Sequence, residues 1–176
     1  MDKFVIHGGK SLEGRVAISG AKNSALALMP AILLNNGTNK ISNIPEVNDI
    51  FTMSKLLGQL GVVTSLDNSV LELDSSNITS QMAPYEHVKK MRASVYVLGP
   101  LLSRYGYAKV SMPGGCAWGP RPINLHLEAM KKFGASIELE EGYIIASSKK
   151  LMGARINFDI SSINKFRTKR CFNNIN

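Results

Sequence analysis

The chain has little cysteine, tryptophan or acid. Only two cysteines, Cys116 and Cys171, and one tryptophan, Trp118, occur in 176 residues. The cysteines lie too far apart in sequence for a metal-ligand pattern, and His7, His87 and His126 have no partner at metal spacing. No metal or cofactor is therefore expected, and each histidine reads as structural or surface. Met1–Gly9 has no apolar core of the kind a secretory signal needs. Two thiols without such a signal suggest a reducing, cytoplasmic setting. The longest apolar run, Ala25–Leu34, contains Pro30 and is too short to span a bilayer, so no membrane partner is expected. Acids number 13 against 21 lysines and arginines, a net charge of +8. Four of the cations (Lys165, Arg167, Lys169 and Arg170) lie in residues 161–176, which carry no acid; without them the balance is +4. A moderate positive balance suits a protein of phosphorylated ligands. The basic residues of 1–160 are scattered and form no basic face interleaved with aromatics, which argues against a nucleic-acid partner.

What the chain does have is Pro113-Gly-Gly-Cys-Ala-Trp-Gly-Pro-Arg-Pro-Ile-Asn-Leu-His-Leu127. Gly114, Gly115 and Gly119 free the backbone to approach a ligand closely. Pro122 suits the first turn of a helix, where its missing N–H costs nothing. Ile123, Leu127, Met130 and Phe133 then follow near 3.6 periodicity. Cys116 thus sits in a glycine-rich loop, and Arg121 stands at the mouth of a helix N-terminus, whose free N–H groups and dipole favour anions. A thiol in that setting gains thiolate character. Two readings stand: a reactive cysteine beside an anion clamp, or a small buried hydrophobe in a turn. Its neighbours carry no core periodicity, which favours the first.

The remaining elements fall in order. Short strands are predicted at Lys3–His7 and Arg15–Ser19. Ser19–Ser24 precedes the Ala/Leu-rich run in the manner of a helix start. Lys22 and Asn23 lie there. A lysine at a helix start is unfavourable unless an anion is present; the alternative is a solvated lysine beside a capping asparagine. Lys40–Pro45 reads as a strand and Val47–Leu60 as a helix with Ile50, Met53, Leu56, Leu57 and Leu60 on one face, ended by Gly61. Val62–Leu66 and Val70–Leu73 form a hairpin across Asp67-Asn68-Ser69. The pattern then recurs: helix Val88–Tyr105, strand Lys109–Met112, helix Ile123–Phe133 closed by Gly134, hairpin Ile137–Leu139 with Tyr143–Ala146. Pro45–Gly61 corresponds to Pro113–Gly134, the second being longer by its glycine–cysteine loop. These are internal βαβαββ repeats, and a third begins at Leu151–Phe158. Arg92, on the helix of the second repeat, points either to a ligand or to solvent; its residue pattern leans to the surface.

Three segments in this order carry a family resemblance: "GAKNSAL" at Gly20–Leu26, "RASVYVLGPLL" at Arg92–Leu102 and "PGGCAWGPRPINLHL" at Pro113–Leu127. From Met1 to about Asp159 the chain resembles the UDP-N-acetylglucosamine 1-carboxyvinyltransferases, a family of enolpyruvyl transferases. The resemblance implies an inside-out α/β barrel domain of βαβαββ repeats. It implies transfer of the enolpyruvyl group of phosphoenolpyruvate to the 3-hydroxyl of UDP-N-acetylglucosamine, with release of phosphate, at the entry to peptidoglycan synthesis. Cys116 would then be the general acid and the target of fosfomycin. Lys22, Asn23 and Arg121 would bind phosphoenolpyruvate. Arg92, Arg121, Pro122, Ile123, Asn124 and Leu125 would hold the nucleotide sugar. Cations at these places could neutralise the several negative charges of the two substrates.

The chain departs from the family in places. Tyr96 stands where tryptophan is frequent, and Asn124 where aspartate is. After Ser161 the family pattern is lost, and residues 161–176 read as an aberrant tail. The expected organisation is therefore 1–21, strands of a second domain; 22–160, the domain with the catalytic loop, two repeats and the start of a third; and 161–176, the tail. The aspartate base and further arginines of the family have no counterpart here, so this stretch is expected to be a fragment inactive alone. The alternative is a non-catalytic nucleotide-sugar-binding module. A transferase acting on shikimate phosphate is disfavoured by the loop cysteine and by Arg121–Leu125.

Overall fold

The computed structural model describes residues 3–9, 11, 13–85, 92–112 and 123–156, with only the backbone of Arg92, Ala93 and Ser94. Helix α1 spans Lys22–Ala31 and passes into a 3₁₀ turn, Ile32–Leu34. The tightening follows Pro30, which lies inside α1 and has no N–H to offer the carbonyl four residues back. Strand β1 (Thr38–Ile41), helix α2 (Asn48–Gln59) and the β2–β3 hairpin (Val63–Asp67, Val70–Asp74) complete the first unit. The second holds β4 (Met82–Ala83), a 3₁₀ segment Arg92–Val97, α3 (Leu98–Tyr105), β5 (Tyr107–Ser111), α4 (Asn124–Lys132) and the β6–β7 hairpin (Ser136–Glu140, Tyr143–Ser147).

The two units repeat one topology. The first sheet runs β1-β3-β2 and the second β4-β5-β7-β6. In each, the strand between the two helices pairs antiparallel with the last strand of the hairpin. The second unit is a full βαβαββ repeat, with β4 parallel to β5; the first sheet shows no counterpart of β4 among the described residues. Each hairpin turns on two residues of positive φ, Asn68 (47°) and Ser69 (60°) in one, Glu141 (49°) and Gly142 (79°) in the other. Turns of that hand match the twist of the flanking strands.

The apolar periodicity sets the layers. Ile50, Met53, Leu56 and Leu57 of α2 are fully buried, and each such burial contributes roughly 1.5–3 kcal/mol relative to exposure. Leu71 and Leu73 of β3, and Ile144 and Ala146 of β7, face the same core. The opposite sheet faces are solvated and polar: Lys40 pairs with Glu72 across β1 and β3 at 3.1 Å, and Lys109 lies over the Tyr143 ring at 4.8 Å. Helices thus lie inside and sheets outside. Gly61 (φ 105°) follows α2, and a Cβ there would meet the Asn77 carbonyl oxygen at 2.4 Å. No helix among the described residues is long and apolar enough to cross a membrane.

Several expectations need correction. Lys3–His7 and Arg15–Ser19 form no strand; Phe4, Ile6, Val16 and Ile18 are more than four-fifths exposed. Alternation alone makes no strand where no partner supplies the ladder. The helix expected from Val88 to Tyr105 is 3₁₀ over Arg92–Val97 and α only from Leu98, while residues 86–91 lie outside the described residues. Pro100 accounts for the change, since it cannot bond the Tyr96 carbonyl in an α-helix. Helix α4, expected over Ile123–Phe133, spans Asn124–Lys132 with those two residues as its caps; Pro122 lies outside the described residues. Leu151–Ile156, at the expected start of a third repeat, takes no regular structure, though Met152 donates its N–H to the Phe133 carbonyl at 2.9 Å.

A polar knot ties the two units. Arg104 of α3 donates through Nη1 to the carbonyls of Leu33 (3.1 Å) and Asn35, and through Nη2 to Asn36 Oδ1 at 3.2 Å. The buried Ser75 hydroxyl lies 3.1 Å from the Ile32 carbonyl oxygen and 3.0 Å from that of Asn35. The carbonyls that a helix leaves without intrahelical partners are thereby satisfied. Arg104→Ala is expected to cost about 1–2 kcal/mol, since it takes the donor from the part-buried Leu33 carbonyl. Urea unfolding would measure it; a loss below about 0.5 kcal/mol, the level of an ordinary surface change, would refute the knot's role.

At the other end of α1, the Gly20 N–H donates to Asn43 Oδ1 at 3.0 Å, and a Cβ on Gly20 would stand 1.7 Å from the Asn43 carbonyl oxygen. Gly20→Ala must displace backbone, and a destabilisation of about 2 kcal/mol or more is expected by thermal melting, against near-neutrality if this contact yields freely.

Asp74 accepts from the Ser76 hydroxyl at 2.6 Å and from its N–H at 2.9 Å, and these bonds, the hydroxyl's first, hold its carboxyl below the ordinary 3.8. A depressed carboxyl adds stability that is present above its unfolded value and lost as pH falls through the folded one. Removing the hydroxyl in Ser76→Ala should return Asp74 toward 3.8 in an NMR titration; an unchanged midpoint would show that the hydroxyl plays no part.

Candidate functional site

Among the described residues, Lys22 and Asn23 lie on the first turn of α1, and Asn124 and Leu125 on the first turn of α4. Ala21, extended at φ −75° and ψ 119°, caps α1 without a side-chain bond, and the first turn holds no acid. Lys22 is therefore the first residue of a helix whose positive dipole end it reinforces, an unfavourable placement worth roughly 0.3–1 kcal/mol. Its compensation is Asp49, in the first turn of α2: Nζ and Oδ2 lie 2.6 Å apart, with both side chains nearly half exposed. The reading of a solvated lysine beside a capping asparagine is corrected: Ala21 is the capping residue, and the counter-ion of Lys22 is Asp49.

Asp49 was not singled out by the sequence. It lies 27 positions from Lys22, and Glu46 stands just before the same helix, so nothing local marks it as a partner. The packing of α1 against α2 joins them. Helix α1 also packs on the 3₁₀ segment Arg92–Val97.

The cysteine loop has two anchored ends. Met112 donates its N–H to the Gly142 carbonyl, at the tip of the β6–β7 hairpin, at 2.8 Å. The corresponding bond in the first unit runs from Ile44 to the Ser69 carbonyl at 2.9 Å. A proline follows each donor, Pro45 in one unit and Pro113 in the other. Pro45 precedes α2 by three positions; Pro113 precedes α4 by eleven. The extra length therefore enters between a pinned strand end and a helix start. At the far end, Ile123 is buried, and its carbonyl accepts the N–H groups of His126 (2.9 Å) and Leu127 (3.2 Å). Asn124 is exposed and Leu125 half-buried on the first turn of α4. Cys116, Arg121 and Pro122 lie outside the described residues, as does the side chain of Arg92.

An open cleft of about 450 Å³ lies elsewhere, lined by Arg104, Tyr105, Gly106, Ser148, Lys149 and Lys150 among others. It is basic, but Arg104 is already spent on carbonyls, and the last turn of α3 presents the negative end of its dipole. Arg104 touches the segment after α1, at the opposite end of that helix from Lys22. The cleft and Lys22 are thus separate features.

Comparisons with known proteins follow the same lines. A UDP-N-acetylglucosamine 1-carboxyvinyltransferase of Chloroherpeton thalassium is 55% identical over 166 residues, and that of Chlorobium limicola is 54% identical. Each alignment covers 93% of this chain and 39% of the relative, so the chain spans about two-fifths of the length of the curated relatives it matches. Among solved structures, the enolpyruvyl transferase NikO of Streptomyces tendae superimposes with a TM-score of 0.69 at 25% identity, covering 84% of this chain and 32% of that one. An EPSP synthase of Acinetobacter baumannii gives 0.68 at 14% identity, over 92% and 38%, a likeness of fold. The inside-out arrangement of βαβαββ units is the architecture these structures share with it. The family profile described as EPSP synthase (3-phosphoshikimate 1-carboxyvinyltransferase) matches residues 6–165, and with repeats, fold and relatives in agreement the chain belongs to that family of enolpyruvyl transferases.

Proposed function

We propose that the chain is the N-terminal part of an enzyme that transfers the enolpyruvyl group of phosphoenolpyruvate to the 3-hydroxyl of UDP-N-acetylglucosamine, in the cytoplasm, at the start of peptidoglycan and cell-wall synthesis. The observation that carries this reading is the 55% identity over 166 residues to a relative of that name. Shikimate phosphate is the disfavoured acceptor despite the family's description, because the loop cysteine and the Arg121–Leu125 segment match the nucleotide-sugar branch.

In the reaction, Lys22, Asn23 and Arg121 hold the phosphoenolpyruvate anion, and Arg92 with Arg121, Pro122, Ile123, Asn124 and Leu125 holds the nucleotide sugar. Charge-assisted bonds of this kind are stronger than neutral ones, and they gain further where water is excluded. Cys116 delivers the proton to the enolpyruvyl methylene carbon, a transfer that needs a positioned acid with an adjustable pKa. The sugar hydroxyl gives its proton to a base and adds to the adjacent carbon; phosphate then leaves as the new methyl group gives up a proton and the double bond re-forms. The hydroxyl's base and the remaining phosphoenolpyruvate clamps belong to the part of the family's length that these 176 residues do not span.

Two measurements test this. With phosphoenolpyruvate and UDP-N-acetylglucosamine supplied, the 176-residue chain should release no phosphate above background, because it has no counterpart of the hydroxyl's base and the further clamping arginines; release at an enzymatic rate would refute the division of labour. Fosfomycin should alkylate Cys116 in preference to Cys171, read by peptide mass spectrometry, and Cys116→Ser should abolish that adduct. Equal labelling of the two thiols would remove Cys116 from the proposed role.

A further inference from the structure

The Lys22–Asp49 pair is asymmetric in what each partner needs. Lys22 opens α1, where a positive side chain meets the positive end of the dipole and no acid of its own helix relieves it. Asp49 lies in the first turn of α2, where a carboxylate is favoured with or without the lysine. The start of α2 has no side-chain cap, Val47 being the capping residue. Asp49, about two-fifths exposed, therefore has a favourable place to turn to, whereas Lys22 does not. The two charges meet at 2.6 Å across two helix starts.

We propose that Asp49 is a positioning residue that serves as the built-in counter-ion of Lys22: it holds the ammonium at the start of α1 while the site is empty and exchanges places with an incoming phosphate or carboxylate. This rests on reading Lys22 as an anion ligand, as proposed above. A doubly charged phosphate at Lys22 and a carboxylate on the same ammonium would repel at short range. Exchange avoids that cost, because Asp49 can relax toward the N–H groups of its own helix. The consequence is a lysine ordered before the ligand arrives, at the expense of some affinity, since an anion must compete with an internal one.

The test uses the full 176-residue chain, inorganic phosphate as the probe, and acetylation of Lys22 by a neutral succinimidyl ester, measured by peptide mass spectrometry against the exposed Lys55 of α2. Asp49→Asn removes the charge with little change of shape. It should speed acetylation of Lys22 relative to Lys55 and lower the phosphate concentration that half-protects Lys22 by about three- to five-fold, the scale set by a half-exposed ion pair. Asp49→Glu keeps the carboxylate and should return both readings toward wild type, which a merely structural effect of the substitution would not do. Unchanged acetylation in Asp49→Asn overturns the proposal, because the pair then does not hold the lysine. Weaker protection by phosphate in that variant also overturns it, and would make Asp49 a support for the bound anion. Faster acetylation with no protection of either chain by phosphate overturns the exchange and, separately, the reading of Lys22 as an anion ligand.

Discussion

Arg104 holds the two repeats in one frame. Its guanidinium gathers the carbonyls that end α1 and its 3₁₀ turn, more than 65 residues away in sequence, and Ser75 meets the same group from the end of β3. A guanidinium suits this work because its donors are fixed in a plane and it stays charged. With one end of α1 held there and the other seated by Gly20 against Asn43, the helix has little freedom to tilt. The direction in which Lys22 leaves the helix start follows from those two fixings. An interior built of helices with sheets outside makes them necessary: helix ends that would meet water in most folds are here partly enclosed, and their unpaired carbonyls must find partners within the chain.

The candidate site follows the same logic. Each unit pins the exit of its middle strand to the tip of its own hairpin, through Ile44 and Ser69 or through Met112 and Gly142. What differs is the length of chain between that pin and the next helix. The first unit uses the short version, whose helix supplies Asp49; the second uses the long version, which carries Cys116 and Arg121. The residues proposed for the chemistry thus fall where the scaffold already ends its strands, at a connection whose two ends are fixed by backbone bonds.

Much of this could be read in the residues. The repeat was legible because the apolar spacing of α2 and α4, the closing Gly61 and Gly134 and the two hairpins recur at matching intervals. The buried faces of those helices came directly from 3.6 periodicity. Non-local pairing was not legible. Lys3–His7 and Arg15–Ser19 alternate as strands do, yet a strand is defined by its neighbour, and alternation says nothing of one. The change from 3₁₀ to α at Leu98 is signalled by Pro100, whose effect reaches four residues back into a run otherwise favourable to helix. The Lys22–Asp49 pair lay beyond sequence reasoning altogether, because it forms only once α1 and α2 are packed. For Cys116, Arg121 and Pro122 the sequence and the family stand without a structural description beside them.

The duplicated pin between strand exit and hairpin tip makes the molecule its own reference. One copy shows the connection at its minimum, three positions from proline to helix; the other shows the same geometry with eleven. Any mechanical burden of the long connection, such as slower folding or easier local opening, is therefore readable inside a single chain by comparing hydrogen exchange at the Ile44 and Met112 amides. Whatever difference those two amides show is the toll that the inserted segment levies on an otherwise equivalent frame.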